Sequence, residues 1–324
     1  MKSRSVLDMC IAAVDLASAV VTPLVAAVGL VQAKLGPHRL RRTYKIWDAF
    51  GLAPVRFHYY QPVFRPGQLP PDFGRVASQL DGLDMADEAQ LELLRSFRYG
   101  DELLELPVAD PRDGSPRFYY DNPSFGSGDA EILYSMVRHF RPRRIIEVGC
   151  GYSTLLIQQA RTVNLAEGHA TEHVCIEPYE FPWLERVGLS RLVRDRIENV
   201  PPALFDSLER NDVLFIDSSH VIRAAGDVCY EILSLLPRLK PGVIVHFHDI
   251  HLPFDYPADL ITRHRLYWTE QYMLQAFLAF NPAFRTLCAV RYLAHYHAHA
   301  LDEACPIFAS QPGRQPGSYW IQRV

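Results

Sequence analysis

The stretch RRIIEVGCGYST, residues 143–154, decides the fold of this chain. Its apolar residues predict a strand over 143–149 that is buried on both faces. The glycines Gly149 and Gly151 then lead into a helix that begins near Ser153. Glycines at such a turn let the backbone approach a ligand closely, and the free N–H groups of the helix start attract negative groups. The alternative is a tight turn that binds no ligand. The flanking sequence is needed to distinguish the two.

Apolar segments alternate with helical patterns on the carboxyl side of this stretch. Further strands are expected at 172–178, 191–194, 211–217 and 242–248, and helices near 153–162, 181–187, 202–209, 221–236 and 268–280. The segments 285–296 and 317–324 are expected to complete the sheet as a terminal pair, and Asp129 to cap a helix that ends at Phe140. This α/β alternation predicts a Rossmann-like, doubly wound, mostly parallel sheet.

The amino-terminal part of the chain has a different composition. Residues 6–33 are almost all small and apolar, and a basic cluster follows, formed by Lys34, His38, Arg39, Arg41, Arg42 and Lys45. Asp8 and Asp15 disfavour a secretory signal peptide. The uncharged run 16–31 is short for a membrane span, which needs about 20 apolar residues. We therefore expect a helix or helical hairpin that lies on a membrane surface or on the main domain, with peripheral membrane contact through residues 6–45.

Three parts are expected along the chain. Residues 1–45 form the apolar helical segment with its basic flank, residues 46–125 an extension or lid, and residues 126–324 the main domain. Within the extension, residues 54–73 are rich in proline and aromatic side chains, which favours an extended segment. Residues 84–106 show helical periodicity.

Composition restricts the class of partner and the compartment. The net charge of -4 gives no support for nucleic acid binding, which needs a basic surplus, and a small-molecule or glycan ligand is expected instead. The 6 cysteines are scattered without a CxxC pair, so neither a zinc knuckle nor a disulfide framework is predicted. A reducing cytoplasm fits best, with membrane association through the amino-terminal segment. The oligomeric state stays open, a homo-oligomer included.

The end of the second strand carries an acidic side chain. In CIEPY, residues 175–179, Glu177 stands where a carboxylate can accept hydrogen bonds from ribose hydroxyls. The dinucleotide fingerprint GxGxxG is broken at Thr154, which disfavours NAD and FAD.

Polar side chains also follow the fourth and fifth strands, in DVLFIDSSH (212–220) and GVIVHFHDIH (242–251). Because neighbouring parallel strands end at one edge of the sheet, Asp217, His248 and Asp249 are expected to converge beside the glycine turn. Two carboxylates and an imidazole can hold one divalent cation. Asp217 could instead bond the cofactor or cap a helix. His220, three residues after Asp217, is the candidate base.

Further histidines lie in the fifth strand, just after it, and near the end of the chain. His246 alternates with the apolar residues of its strand and is expected in the core, whereas His251 is expected either in the substrate pocket or facing solvent. His295, His297 and His299 would share one face of a strand, which suits a transition metal but also a solvated edge.

Over about residues 120–324, these motifs resemble the class I S-adenosylmethionine (SAM)-dependent methyltransferases. The family's E-x-G-x-G loop corresponds to Glu147, Gly149 and Gly151. The resemblance implies that these residues and Ser153 line the methionine end of SAM, with Glu177 on the ribose. The alternative for Glu147 and Ser153 is a purely structural role in orienting the loop or capping the helix.

The acidic and histidine motifs resemble those of bacterial metal-dependent O-methyltransferases that act on sugars of natural products. That resemblance implies a Mg²⁺-like ion on Asp217, His248 and Asp249, with His220 and Asp217 as catalytic residues. This chain departs from the pattern at His248, because the family has two acidic residues at the end of strand five.

The expected function is methyl transfer from SAM to a hydroxyl oxygen of a small molecule or glycan. Two alternatives stay open. One is another enzyme on the same fold, either a metal-independent N-methyltransferase or a hydroxylase-like relative. The other is a membrane-associated protein that binds SAM without catalysis.

Overall fold

The structure is a computed structural model that describes residues 2–324, with side chains described from residue 6 onward. The chain divides into two compact units, Met1–Pro70 and Pro71–Val324. The β-sheet lies in the second unit.

The first unit consists of two helices and an irregular segment. Helix α1 covers Lys2–Arg39 and α2 covers Arg41–Ala49, with a kink at Gly36, whose φ is 75°. A short 3₁₀ turn, Pro66–Gln68, follows in the proline-rich segment. The sequence predicts a helix in residues 6–33, and the structure has one continuous helix there, with Pro23 inside it.

Helix α1 exposes its apolar side chains. Over residues 2–324, Val6–Arg39 is the one helix long and apolar enough to cross a membrane, judged by length and composition alone. Its most apolar 18-residue window has a mean hydropathy of 2.1, and none of that window is buried in the structure. A signal sequence near an amino terminus would have the same properties, so the helix is weak evidence for membrane association.

The second unit is built on a 7-stranded sheet in the order β3-β2-β1-β4-β5-β7-β6. The strands are β1 Arg144–Val148, β2 Glu172–Ile176, β3 Arg191–Val193, β4 Val213–Ile216, β5 Ile244–Phe247, β6 Phe284–Ala289 and β7 Tyr319–Arg323. Strands β1 to β5 pair in parallel, and β7 runs antiparallel to both β5 and β6. The Rossmann-like fold class expected from the sequence is confirmed.

Helices cover both faces of this sheet. They are α3 Asp87–Ser96, α4 Gly100–Leu104, α5 Asp129–Phe140, α6 Tyr152–Ala166, α7 Asp227–Tyr230, α8 Ala258–Thr262, α9 Glu270–Leu278, α10 Val290–Tyr296, α11 Ala298–Ala304 and α12 Pro306–Ser310. Alternate residues of each central strand enter two separate cores. In β1, Ile146 joins the core with α7 and α9, whereas Ile145 joins the core with α5 and α6.

Several element predictions need correction. The helices expected near 181–187 and 202–209 are 3₁₀ turns, Pro182–Arg186 and Pro202–Ser207. The second turn ends because Leu208 has extended backbone angles, with ψ of 137°. The helix expected over 221–236 begins only at Asp227 and continues as a π-helical turn, Glu231–Leu235.

The end of the chain also differs from the prediction. Strand β6 stops at Ala289, and helices α10 and α11 follow, so the three histidines at 295–299 do not share a strand face. Asp129 begins α5 without capping it. Its carboxylate instead accepts hydrogen bonds from the backbone N–H groups of Gly317 and Ser318, at 2.9 and 2.7 Å.

The turn after β1 tolerates only glycine at residue 149. Gly149 has a φ of 75°, and a Cβ on it would lie 1.8 Å from the carbonyl oxygen of Asp217. Gly149→Ala should therefore lower the free energy of unfolding by about 2–5 kcal/mol, from left-handed strain plus overpacking. The measurement is the urea unfolding midpoint of the full chain.

Gly168→Ala is the matched control. Gly168 also has a positive φ, of 89°, but a Cβ on it would meet no atom of the described residues within 4 Å. It should cost only the left-handed strain, about 1–2 kcal/mol. Equal losses in the two variants would show that contact with Asp217 does not constrain the turn.

Candidate functional site

Four strands of the sheet end at the same level. Val148 pairs with both Ile176 and Ile216, and Ile216 pairs with Phe247. The next residue of each strand, Gly149, Glu177, Asp217 or His248, therefore emerges at one edge. A backbone hydrogen bond keeps the ends of β4 and β1 level, because the N–H of Asp217 donates to the carbonyl oxygen of Val148 at 2.9 Å. Ligands of open α/β sheets bind at this edge.

A cavity of about 430 Å³ opens at this edge. That volume lies within the range of about 300–1,000 Å³ usual for small-molecule sites. Three of the residues predicted from the sequence, Gly149, Glu177 and Asp217, line its walls. Arg196 and Arg223 line it as well, and no sequence motif indicates them.

Glu177 fastens the loops that form one wall of the cavity. Its carboxylate accepts hydrogen bonds from the backbone N–H groups of Cys150, Tyr179 and Glu180, at 3.2, 2.8 and 2.9 Å. A carboxylate can accept about four hydrogen bonds, so about one acceptor position is left for a ligand hydroxyl. The placement is compatible with the predicted ribose contact.

Glu147 and Ser153 lie beneath the glycine turn and do not line the cavity. The hydroxyl of Ser153 donates to Glu147 Oε1 at 2.7 Å, and His173 Nε2 lies 2.8 Å from Glu147 Oε2. All three side chains are buried. This is the loop-orienting arrangement expected as the alternative, and contact of these two side chains with a cofactor stays a prediction.

Gly151 is the residue before α6. Its N–H donates to the hydroxyl of Thr154 at 3.0 Å, so the residue that breaks the dinucleotide fingerprint serves the start of the helix. A Cβ at Gly151 would lie 3.3 Å from the Phe181 ring. Gly151 does not line the 430 Å³ cavity.

Beside the cavity lies a group of two carboxylates and two imidazoles, which we call the acid–imidazole cluster. Its members are Asp217, His220, His248 and Asp249. His220 Nε2 lies 3.3 Å from Asp217 Oδ1 and 3.5 Å from Asp249 Oδ2. His248 Nδ1 lies 3.5 and 3.7 Å from the same two oxygens. The structure thus brings together all the residues predicted for metal binding and proton transfer.

The remote nitrogen of each imidazole faces another carboxylate. His220 Nδ1 lies 2.8 Å from Oε2 of Glu270, which is 1% exposed at the start of α9. His248 Nε2 lies 3.6 Å from Oδ2 of Asp129, which is beyond hydrogen-bond distance, and this buried nitrogen has no hydrogen-bond partner among the described residues. No sequence signal points to Glu270, because an acid in the first turn is ordinary for a helix. For Asp129, the sequence indicates only a cap.

Charges within the cluster shift its ionisation. Burial disfavours the charged form of His220, but hydrogen bonds with Asp217 and Glu270 raise its pKa well above the ordinary value. Burial also opposes the charge of His248, whose pKa the carboxylates of Asp217 and Asp249 raise. For Asp217, burial favours the neutral acid, yet the charge of His248 and bonds from both imidazoles lower its pKa. Positive charge is therefore favoured between the two carboxylates.

The donor atoms fit a divalent cation. One ligand atom from each of Asp217, His248 and Asp249 lies within 4.8 Å of the others. Mg²⁺ prefers six oxygen ligands, so an imidazole departs from its usual donor set. Within the described residues, Glu147, His173 and Cys175 form a second such group. That group is fully buried beneath the glycine turn.

Other candidate side chains have clear positions. His246 is buried in the core, with Nε2 2.9 Å from the hydroxyl of Ser318, as expected. His251 is 6% exposed, so it does not face solvent, and burial lowers its pKa to about 4. The ring of Trp268 packs against His220, with centroids 4.5 Å apart.

The glycine turn and the acidic end of β2, on which the resemblance to class I methyltransferases rests, lie at one edge of the sheet and line the same cavity. One family comparison covers this region. Residues 146–250 match a family model described as a methyltransferase domain. The matched segment contains the glycine turn and the whole acid–imidazole cluster.

Individual relatives are distant. A protein of Archaeoglobus fulgidus described as uncharacterized is 29% identical over 142 residues, covering 42% of this chain and 63% of the relative. This chain thus spans less than two thirds of that relative's length.

The O-methyltransferase TomG from Streptomyces achromogenes, solved with SAM, has 14% identity and a TM-score of 0.36. The match covers 72% of this chain and 90% of the TomG chain. An O-methyltransferase from Bacillus cereus, solved with S-adenosylhomocysteine (SAH), has 15% identity and a TM-score of 0.30. The match covers 74% of this chain and 91% of the B. cereus chain. Likenesses this weak assign neither substrate nor metal.

Glu177→Gln tests the cavity as an adenosyl site. Loss of a charged acceptor should weaken binding of S-adenosylhomocysteine (SAH) about 10–100-fold, as for a hydrogen bond to a charged group. Isothermal titration calorimetry measures the affinity. Glu172→Gln, at the exposed start of β2, is the control and should bind SAH like the wild type. Unchanged affinity in Glu177→Gln would remove Glu177 from the ligand contacts.

Proposed function

We propose that this protein is a SAM-dependent methyltransferase that methylates a hydroxyl oxygen of a small molecule or glycan. One observation carries the proposal. Asp217 lines the cavity beside the glycine turn and also belongs to the acid–imidazole cluster. A methyl donor in the cavity and an acceptor hydroxyl at the cluster would therefore meet at one residue.

Residues of the cavity supply the contacts that SAM needs. In this proposal, the remaining acceptor position of Glu177 takes a ribose hydroxyl, and the glycine turn admits the ligand close to the backbone. The amino terminus of α6 follows the glycine turn without lining the cavity, and in this proposal it would attract the methionine carboxylate. SAM, when bound, supplies an electrophilic methyl group. The chain then has to align the acceptor and assist removal of its proton.

The acid–imidazole cluster provides that assistance. Asp217, His248 and Asp249 would hold a divalent ion, Mg²⁺ in the expectation from sequence, and such an ion would lower the pKa of an acceptor hydroxyl. His220 faces the same two carboxylates, and in this proposal it contributes to removal of the acceptor proton. The ring of Trp268 packs against that of His220, and in this proposal it limits the access of water to the imidazole.

His220→Ala tests the cluster in catalysis. Turnover should fall by about 10²-fold or more, as for loss of an acid–base group, while SAH affinity stays within a few-fold of the wild type. SAH release with candidate sugars and phenols measures turnover, and calorimetry measures SAH binding. His299→Ala removes a histidine whose side chain is 89% exposed and is the control.

The same assays separate the proposal from its alternatives. Wild-type turnover in His220→Ala would remove His220 from the mechanism. Full activity in EDTA with an amine acceptor would identify a metal-independent N-methyltransferase, and a product mass change other than one methyl group would identify a different enzyme. SAH binding without transfer to any acceptor would favour a binding protein.

We also propose that α1 attaches the protein to a membrane. Its apolar side chains are exposed, Leu24 at 69% for example, and the basic cluster Lys34–Lys45 follows them. Buried apolar area and attraction to anionic headgroups both favour binding of such a segment to lipid.

Leu24→Asp tests this attachment. A charge on the apolar surface of α1 should reduce co-sedimentation with vesicles of phosphatidylcholine and phosphatidylserine at least tenfold, since burying it in lipid costs about 2.5–3.5 kcal/mol. Leu165→Asp, on a leucine that is 61% exposed in α6, is the matched control. Equal vesicle binding by both variants would contradict lipid contact through α1.

A further inference from the structure

A second cavity, of about 400 Å³, lies beside the start of α6. Three parts of the chain form its wall: residues between Asp110 and Tyr119, the first turn of α6, and Trp183 with Arg186 after β2. Among the described residues, none lines both this cavity and the one at the strand ends. It is therefore a candidate site of its own.

Positive charge is concentrated around this cavity, which we call the arginine cavity after Arg112, Arg117 and Arg186 in its wall. Asp110 is the one acid among the described residues of the lining. Arg117 forms an exposed ion pair with Asp113 at 3.6 Å. The whole chain has a net charge of -4, so three arginines around one cavity are a local exception. A local excess of positive charge attracts anionic ligands.

The guanidinium groups of the other two arginines are unpaired. Within the part of the chain that the structure describes, the side chains of Arg112 and Arg186 form no hydrogen bond and no ion pair. Nearby acids have other partners. Asp110 Oδ1 accepts a hydrogen bond from the backbone N–H of Arg112 at 2.8 Å, and Glu185 pairs with Arg194 at 2.8 Å. Both guanidinium groups are thus available to an anion from solution.

Aromatic side chains form much of the remaining wall. Tyr119, Tyr152 and Trp183 line the cavity, and all three are half-buried. The hydroxyl oxygens of Tyr119 and Tyr152 lie 3.3 Å apart, so one donates to the other. The second hydroxyl keeps a proton that has no partner among the described residues, and it can donate to a ligand. Flat aromatic side chains offer a large apolar contact area to a ring-shaped ligand.

We propose that the arginine cavity binds a ring-bearing anion, with its carboxylate or phosphate on Arg112 and Arg186 and its ring against the aromatic side chains. The planar fork of a guanidinium matches the oxygens of both anionic groups. The volume is within the range of about 300–1,000 Å³ usual for small-molecule sites, and sugar acids and sugar phosphates carry both required parts. The proposal concerns binding alone and does not depend on methyl transfer.

Calorimetry on the full chain tests the site with two probes, glucose 6-phosphate and glucuronate. Inorganic phosphate, acetate and glucose are the comparison ligands, because each carries only one part of the proposed contact. We expect one equivalent of a ring-bearing anion, bound at least tenfold more tightly than any comparison ligand. The two probes distinguish phosphate from carboxylate. Affinity should fall as the salt concentration rises, because ions screen the attraction.

Arg112→Gln and Arg186→Gln each remove one of the unpaired charges. Both side chains are exposed, so the core is not disturbed. Each variant should weaken probe binding about tenfold, as for loss of a hydrogen bond between charged groups. Arg263→Gln is the matched control and should bind like the wild type. Arg263 is also exposed, its side chain has no hydrogen bond or ion pair within the described residues, and it does not line the arginine cavity.

SAH separates this site from the cavity at the strand ends. Probe binding should persist in saturating SAH, and loss of probe binding there would assign the arginine cavity to the SAM site and overturn the proposal. Wild-type affinity in both arginine variants, an equal loss in Arg263→Gln, or no binding of either probe would also overturn it. Circular dichroism on each variant checks the fold. Probe binding by a wild-type protein that binds no SAH would support this site and contradict the proposed function alone.

Discussion

The in-register pairing of β1 with its neighbours β2 and β4 is the constraint on which the rest of the domain depends. Because Val148 is level with Ile176 and Ile216, the glycine turn, Glu177 and Asp217 leave the sheet together. The turn then passes so close to β4 that residue 149 has no room for a side chain. This close approach places the cavity and the acid–imidazole cluster side by side.

Buried polar groups keep the turn in that position. Glu147 is fully buried and would cost several kcal/mol if its carboxylate had no partners. Ser153 from α6 and His173 from β2 satisfy its two oxygens, so one side chain ties three elements together. Glu177 accepts hydrogen bonds from the backbone N–H groups of Cys150 in the glycine turn and of Tyr179 and Glu180 after β2, so it joins the turn to the loop after β2. The two acids that border the glycines therefore shape the cavity before any ligand binds.

Sequence reasoning found the parts of the site that follow from strand ends and missed those that follow from packing. Continuous apolar runs located the central strands to within about two residues, and the parallel order then placed Asp217, His248 and Asp249 together. Glu270 lies 50 residues from His220 along the chain, and only the packing of α9 brings them together. Short 3₁₀ and π-helical turns were also missed, because a helical period in the sequence does not reveal where the hydrogen-bond spacing changes from that of an α-helix.

At the end of β5 this chain has His248 and Asp249, where the metal-dependent O-methyltransferases that it resembles have two acidic residues. This difference changes the charge at the end of β5. Four carboxylates, those of Asp217, Asp249, Glu270 and Asp129, lie within 4 Å of the imidazoles of His220 and His248. These carboxylates raise the pKa of both imidazoles, and protonation of the rings would offset part of the negative charge. A divalent ion on Asp217, His248 and Asp249 would compete with those protons, because an imidazole must be neutral to bind a metal. A further carboxylate in place of His248 would add negative charge to a group that already contains four acids, and like charges at this distance repel. The histidine therefore suits a place where Asp217 and Asp249 each lie within 4 Å of two imidazole nitrogens.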